Sequence, residues 1–219
     1  MDLSSVLLAT TIGAAAYLVK ICSKSPNPPP QSRHTTDTIG PLVGTFTNTL
    51  RRAALGVMLF QAALALFVQS PERIESICAV PSNLNESLVT WDKTTIISLF
   101  LIFLGAVIRL SAYGGLGQNF TFHLAAPDHL VTDGVYRFMQ HPSYTGQAVL
   151  CLGVAGAFVR WDASVACFIP GEVLNSLRGW VAALLRARVR DEEGMLKGEF
   201  GKEWEVWSAR TARFVPFIW

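Results

Sequence analysis

Charge is what this chain has least of. Only 16% of its 219 residues are Asp, Glu, Lys or Arg, against 51% that are hydrophobic. A soluble domain ordinarily carries about 25% charged residues. With a mean hydropathy of +0.36, the shortage excludes an ordinary soluble globule and fits a polytopic membrane protein. Cysteine is sparse too: Cys22, Cys78, Cys151 and Cys167 lie far apart without metal-ligand spacing. That excludes a disulfide framework and a zinc site, so no metal is expected. Basic residues do not gather on an aromatic-studded face, and the net charge is only +2, so nucleic acid is not an expected partner. No basic cluster precedes the first apolar run, as a cleaved signal peptide would require. Internal repeats are missing.

What is present is a series of apolar runs. The first covers residues 3–19, with Lys20 behind it to snorkel, and Pro28, Pro29 and Pro30 open an extended connector. A second covers 53–68, after Arg51 and Arg52, and a third covers 94–108, with Trp91 and Arg109 as interface anchors. The fourth, 146–159, stops at Arg160. The fifth is interrupted at Pro170 and Gly171, and a final helix is expected to start near Gly171. Several runs fall short of the roughly 20 residues of a standard span, which flanking residues and a thin bilayer can make up. The segments 20–52, 109–137 and 186–219 together carry fourteen Lys/Arg, and the alternate loops carry three. This positive-inside signal, with five spans, places the N-terminus outside or in a lumen and the C-terminus in the cytosol. After Glu193, apolar residues recur at helical spacing (Met195, Leu196, Phe200, Trp204, Trp207) between charged ones. The expected fold is therefore all-α: a polytopic membrane helix bundle of about five transmembrane helices with a cytosolic C-terminal amphipathic helix. It forms a single integral-membrane domain over 1–219.

Titratable and aromatic residues concentrate in two short segments. In the first, Asp133-Gly134 signals a turn ahead of Tyr136, and His141-Pro142 forces another break. Ser143 is placed to cap a helix beginning near Tyr144, and Gly146 permits a close approach to it. In the second, Arg188 and Glu192 stand four apart and share a helix face. As a bare pattern this is equally an i,i+4 ion pair on a solvated helix end. Its position near the membrane favours a guanidinium that grips a carboxylate bidentately.

These residues carry a resemblance. Leu116-Gly117-Gln118-Asn119-Phe120-Thr121, then Leu130-Val131-Thr132-Asp133-Gly134-Val135-Tyr136, then His141-Pro142-Ser143-Tyr144 run in one order. Arg188, Glu192, Glu193, Phe200, Gly201, Trp204 and Pro216-Phe217-Ile218 follow. The set resembles the isoprenylcysteine carboxyl methyltransferase family, among the membrane methyltransferases that include phospholipid methyltransferases. It spans nearly half of the chain, and the first two helices match in character only. The resemblance implies S-adenosyl-L-methionine as methyl donor. It also implies prenylated CaaX-type proteins as substrates, methylated on the C-terminal prenylcysteine carboxylate at the endoplasmic reticulum membrane. The prenyl chain would enter from the lipid bilayer. By that resemblance Leu130, Val131, Tyr136, His141, Pro142, Ser143, Tyr144 and Glu192 fall on cofactor-contacting positions. Arg188 falls on the position that engages the substrate carboxylate, so Arg188 and Glu192 are the expected catalytic pair. Residues 1–110 would supply three N-terminal helices and connectors, and 111–219 the catalytic core.

The sequence departs from the family's pattern in three places. Gln140 stands where a basic residue commonly precedes the histidine, the connector between Thr121 and Leu130 is short, with Ala125 a poor substitute for a polar contact, and the stretch from Tyr144 to Arg188 is long. Two other readings remain open. One is a methyltransferase acting on a phospholipid amine headgroup, which would need a base and would gain nothing from Arg188. The other is a catalytically silent membrane scaffold of the same fold.

Overall fold

The computed structural model describes residues 2–28, 40–67, 85–122, 127–160, 163–164 and 171–213, with side chains undescribed for 40–45, 47, 67, 86 and 171–185. Helix α1 spans Leu3–Cys22, α2 Gly40–Phe67, α3 Lys93–Leu116, α4 Pro142–Phe158 and α5 Gly171–Ser208. No β-strand occurs among the described residues. Ala125, Pro170 and Phe214 to Trp219, which bear on the family comparison, lie outside them.

Asp2 caps α1 by accepting from the Ser5 backbone N–H at 2.6 Å, and Asp92 caps α3 by accepting from Thr94 at 3.1 Å. Between these caps and their C-termini the helices are apolar all round, as lipid-facing helices are. Among the described residues three stretches, Leu3–Cys22, Asn48–Leu66 and Lys93–Asn119, are long and apolar enough to cross a membrane. The 20 residues of α1 reach about 30 Å. Ile97, Phe100 and Val107 on α3 are exposed, although each is a large apolar side chain. Inward, Leu8, Ile12, Met58, Ile102, Leu150 and Phe158 form one core joining α1 to α4.

The ends of the bundle fix its direction. Trp91 Nε1 donates to the Ser4 carbonyl at 3.1 Å, while Arg109 Nε reaches the Cys22 carbonyl at 2.6 Å, so α1 and α3 run parallel. Gly105 of α3 packs against Leu150 and Gly146 of α4, while Arg109 meets Gly146 and Ser98 meets Gly153, so α3 and α4 are antiparallel. Gln61 of α2 donates to the Leu88 carbonyl at 2.9 Å and accepts from Ser164 at 3.1 Å, tying the end remote from the His141 loop. The fifth helix starts at Gly171, as the sequence suggests, and the helical path ends at Ser208. Gly201, at φ +49°, kinks it.

Two expectations are corrected. Helix α3 ends at Leu116, not near Ile108, because nothing between them breaks a helix. Arg109 therefore lies two turns inside α3, 6% exposed, rather than snorkelling at an interface. Ser143 is not the cap of α4. The helix begins at Pro142, whose fixed φ and missing N–H suit the first position, and the Ser143 hydroxyl accepts from Arg109.

The α3–α4 contact is the close approach expected at Gly146. A methyl group there would come within 2.6 Å of the Arg109 backbone nitrogen and 2.7 Å of the Gly105 carbonyl. Without hydrophobic driving force in lipid, such backbone contact supplies the packing attraction that holds helices together. Gly146→Ala is expected to destabilise the purified protein by about 1–3 kcal/mol. Gly114→Ala, with nothing within 4 Å, should leave the melting temperature in detergent unchanged or raised.

Candidate functional site

The site is built where the loop before α4 meets the middle of α5 and the segment that follows it. His141, the residue ahead of α4, is 4% exposed. Its Nε2 lies 3.1 Å from Glu193 Oε1, and its Nδ1 lies 3.5 Å from Glu192 Oε1. Burial opposes protonation of this imidazole, but the two carboxylates prevail and raise its pKa to about 9. It is therefore an imidazolium at neutral pH.

Each carboxylate has a second partner. The Tyr144 hydroxyl donates to Glu192 Oε2, and the Tyr144 ring stacks on His141 with centroids 5.6 Å apart. Burial works against ionisation of Glu192, yet His141, Tyr144 and the Arg188 charge hold its carboxyl below the usual range. Its side chain is partly exposed, with both carboxylate oxygens turned toward Tyr144 and His141. Glu193 accepts both Nε and Nη2 of Arg213, a bidentate pair. Arg213 and His141 overcome burial and bring Glu193 down to about 2.

Arg188, one turn before Glu192, donates from Nη2 to the Phe122 carbonyl at 2.8 Å. Its charge also bears on Tyr144 and Glu192. The structure thus brings Arg188, Glu192, His141 and Tyr144 together. Pro142 and Ser143 form the first turn of α4 behind them, both buried. Val131 and Tyr136 pack with Ala112 in a small cluster beneath the loop, and the Tyr136 hydroxyl donates to the Ala112 carbonyl at 3.4 Å. Burial, with the Glu192 charge, raises the Tyr136 phenol far above its ordinary range, so it stays a neutral donor. Leu130 stands apart, lining a groove against the end of α5.

Some residues at the site were not legible as such. Arg109 donates from Nη1 to the Ser143 carbonyl at 2.8 Å and its hydroxyl at 2.9 Å. Its guanidinium also lies 5.2 Å from the Tyr113 ring and 5.5 Å from that of Phe122. It links the end of α1, the first turn of α4 and the segment that receives Arg188. The signal was there: an arginine followed by Leu110-Ser111-Ala112-Tyr113, with no breaker to end the helix. Gln140 has a structural role, donating from Nε2 to the Ser208 carbonyl at 2.7 Å and the Thr211 carbonyl at 2.9 Å. With Gln140 N to the Ala212 carbonyl at 2.8 Å and His141 N to that of Arg213 at 3.2 Å, it straps the chain after α5 across the His141 loop.

The cluster makes stability depend on pH. The folded pKa of His141 lies above its unfolded value of 6.5. Its contribution is whole below about pH 6.5 and disappears as pH rises through 9. The Glu193 contribution is whole above about 4.5 and disappears as pH falls toward 2. Melting temperature in detergent should therefore decline between pH 6.5 and 9 for the wild type. The difference between wild type and His141→Gln should shrink across the same window, and a constant difference would contradict the charged histidine.

Comparison with known proteins places this geometry. The phospholipid methyltransferase family model matches residues 94–184, which takes in α3, the His141 loop and α4 but stops short of Arg188. A probable protein-S-isoprenylcysteine O-methyltransferase of Oryza sativa subsp. indica is 29% identical over 126 residues, 56% of this chain and 61% of that protein. The protein-S-isoprenylcysteine O-methyltransferase of Schizosaccharomyces pombe is 32% identical over 128 residues, covering 55% and 49%. That of Mus musculus is 29% identical over 143 residues, covering 59% and 43%. The matched stretch thus spans roughly half the length of these relatives. The chain is similar to isoprenylcysteine carboxyl methyltransferases over just over half of its length, and to the phospholipid methyltransferase family over residues 94–184.

Proposed function

We propose that this protein transfers a methyl group from S-adenosyl-L-methionine to the C-terminal prenylcysteine carboxylate of CaaX-processed proteins. It would do so at the cytosolic face of the endoplasmic reticulum membrane. The observation that carries the reading is the placement of Arg188 one turn from an ionised Glu192, against Tyr144 and His141. The names of the relatives support the substrate class. The residues also suit the cofactor: Glu192 offers an anion to its positive groups, and Tyr144 offers an aromatic wall. When bound, S-adenosyl-L-methionine supplies an electrophilic methyl group on a sulfonium.

A carboxylate of pKa near 3.5 is already ionised at neutral pH. The acceptor therefore needs orientation and dehydration, with no proton to remove. Arg188 would hold the carboxylate, anchored by the Phe122 carbonyl. A guanidinium has five N–H donors in a planar fork, so this one bond does not exhaust it. Too firm a grip would lower the nucleophilicity of the acceptor, so its role is to orient. The same cluster argues against an amine headgroup. An amine must lose a proton, yet His141 is held as imidazolium, Glu193 is paired with Arg213, and Glu192 is a weakened base. A silent scaffold would show no cofactor binding.

Membranes containing the protein should methylate a farnesyl-cysteine acceptor and leave phosphatidylethanolamine unmodified. Arg188→Lys removes the bidentate fork, and loss of such a charged contact typically costs about 2–5 kcal/mol. It should lower kcat/KM for the prenylcysteine acceptor at least tenfold with little change in cofactor affinity. Near-wild-type turnover by this variant would reduce Arg188 to a helix-surface partner of Glu192 and remove the clamp.

A further inference from the structure

A groove of about 800 Å³ lies between the loop ahead of Tyr136 and the end of α5, beyond the kink at Gly201. Its walls carry Arg137, Lys202 and Arg210 against a single carboxylate, Glu203. None of the three cations makes an ion pair among the described residues, whereas Lys197 on the same helix is matched by Glu205 at 3.1 Å. Three cations against one carboxylate leave the groove with a net positive charge that favours an anion. Leu130, which the resemblance puts on a cofactor-contacting position, lines the groove with Thr132, Val206 and Trp207: Val206 is 54% exposed, and the Trp207 indole N–H has no acceptor among the described residues. Phe138, beside Arg137, is 59% exposed.

We propose that this groove is a binding site for the phosphate headgroup of an anionic phospholipid. The neighbouring apolar side chains favour a lipid over free phosphate, because a bare phosphate gains nothing from exposed valine and phenylalanine. Basic residues beside apolar anchors are the pattern of a surface that rests on anionic headgroups. Both walls belong to segments on the basic side of the sequence's charge asymmetry, where an anionic leaflet attracts juxtamembrane cations. The groove also touches the site's support: Thr211 lines it, and the Thr211 carbonyl is one of the two that Gln140 grips. An occupant would thus bear on the strap that holds His141. The inference goes beyond methyl transfer and does not depend on it.

The test is thermal unfolding of the full chain in a neutral maltoside detergent. Dioctanoyl phosphatidylglycerol, dioctanoyl phosphatidylcholine and inorganic phosphate are added separately at equal concentrations. At a concentration near 100 times Kd, the phosphatidylglycerol should raise Tm by about 5–10 °C, and the other two should leave it unmoved. The variant Arg137→Gln/Lys202→Gln/Arg210→Gln should lose the shift, and Arg210→Gln alone should raise the concentration needed several-fold should the triple variant not fold. A control with Lys20, Lys24 and Arg52 changed to Gln removes as much charge from the same side and should keep the shift. An equal response to inorganic phosphate would overturn the lipid assignment. So would a shift retained by the groove variants or lost by the control. Abolition of the shift by saturating S-adenosyl-L-methionine would assign the groove to the cofactor and overturn it as well.

Discussion

A buried imidazolium between two carboxylates is the constraint on which the rest of this site depends. Burial by itself would strip the proton from His141. The proton stays because Glu192 and Glu193, adjacent on α5, each face one of its two ring nitrogens. Each carboxylate is in turn held by a group from another part of the chain, Tyr144 on α4 and Arg213 after α5. Removing one partner from such a cluster leaves an uncompensated buried charge, at a cost of about 3–5 kcal/mol. The loop, the start of α4, the middle of α5 and the following segment therefore assemble together. A methyl-transfer site benefits from that, since the acceptor must be oriented to within a fraction of an ångström.

Arg109 solves a related problem without a carboxylate. It sits inside an apolar helix and makes no ion pair among the described residues. Two backbone carbonyls, one hydroxyl and two aromatic faces offset its charge instead. Those partners come from α1, α3, α4 and the segment leading to Phe122. The arginine thus transmits the position of the membrane helices to the first turn of α4, beside His141 and Tyr144. The close packing at Gly105 and Gly146 brings α4 near enough for this to happen.

Much of this was legible in the residues. The apolar runs, the helix beginning at Gly171 and the close approach at Gly146 follow from hydropathy and turn signals, and the grouping of His141, Tyr144, Arg188 and Glu192 follows from the resemblance that their motifs carry. What was not legible depends on partners distant in the chain. That α3 runs on past Ile108 could be read from the lack of a breaker, but the shelter of Arg109 by α1 and α4 could not, since no local pattern records it. Ser143 read as a cap, but a buried guanidinium claimed its hydroxyl. Gln140 read as a departure from the family, yet its amide spans two carbonyls about seventy residues further along the chain. Glu193 drew notice only as Glu192's neighbour, since its bond to Arg213 exists only once the chain folds back after α5.

The central claim is that the ionised Glu192 and the Tyr144–His141 wall form the mouth of a cofactor site. Isothermal titration of S-adenosyl-L-methionine into the purified protein tests it most directly, with Tyr144→Ala and Glu192→Gln measured alongside and folding checked by Tm. The account predicts saturable binding by the wild type and at least tenfold weaker binding by both variants, each still folded. Wild-type affinity in either folded variant, or no binding by the wild type, would contradict it.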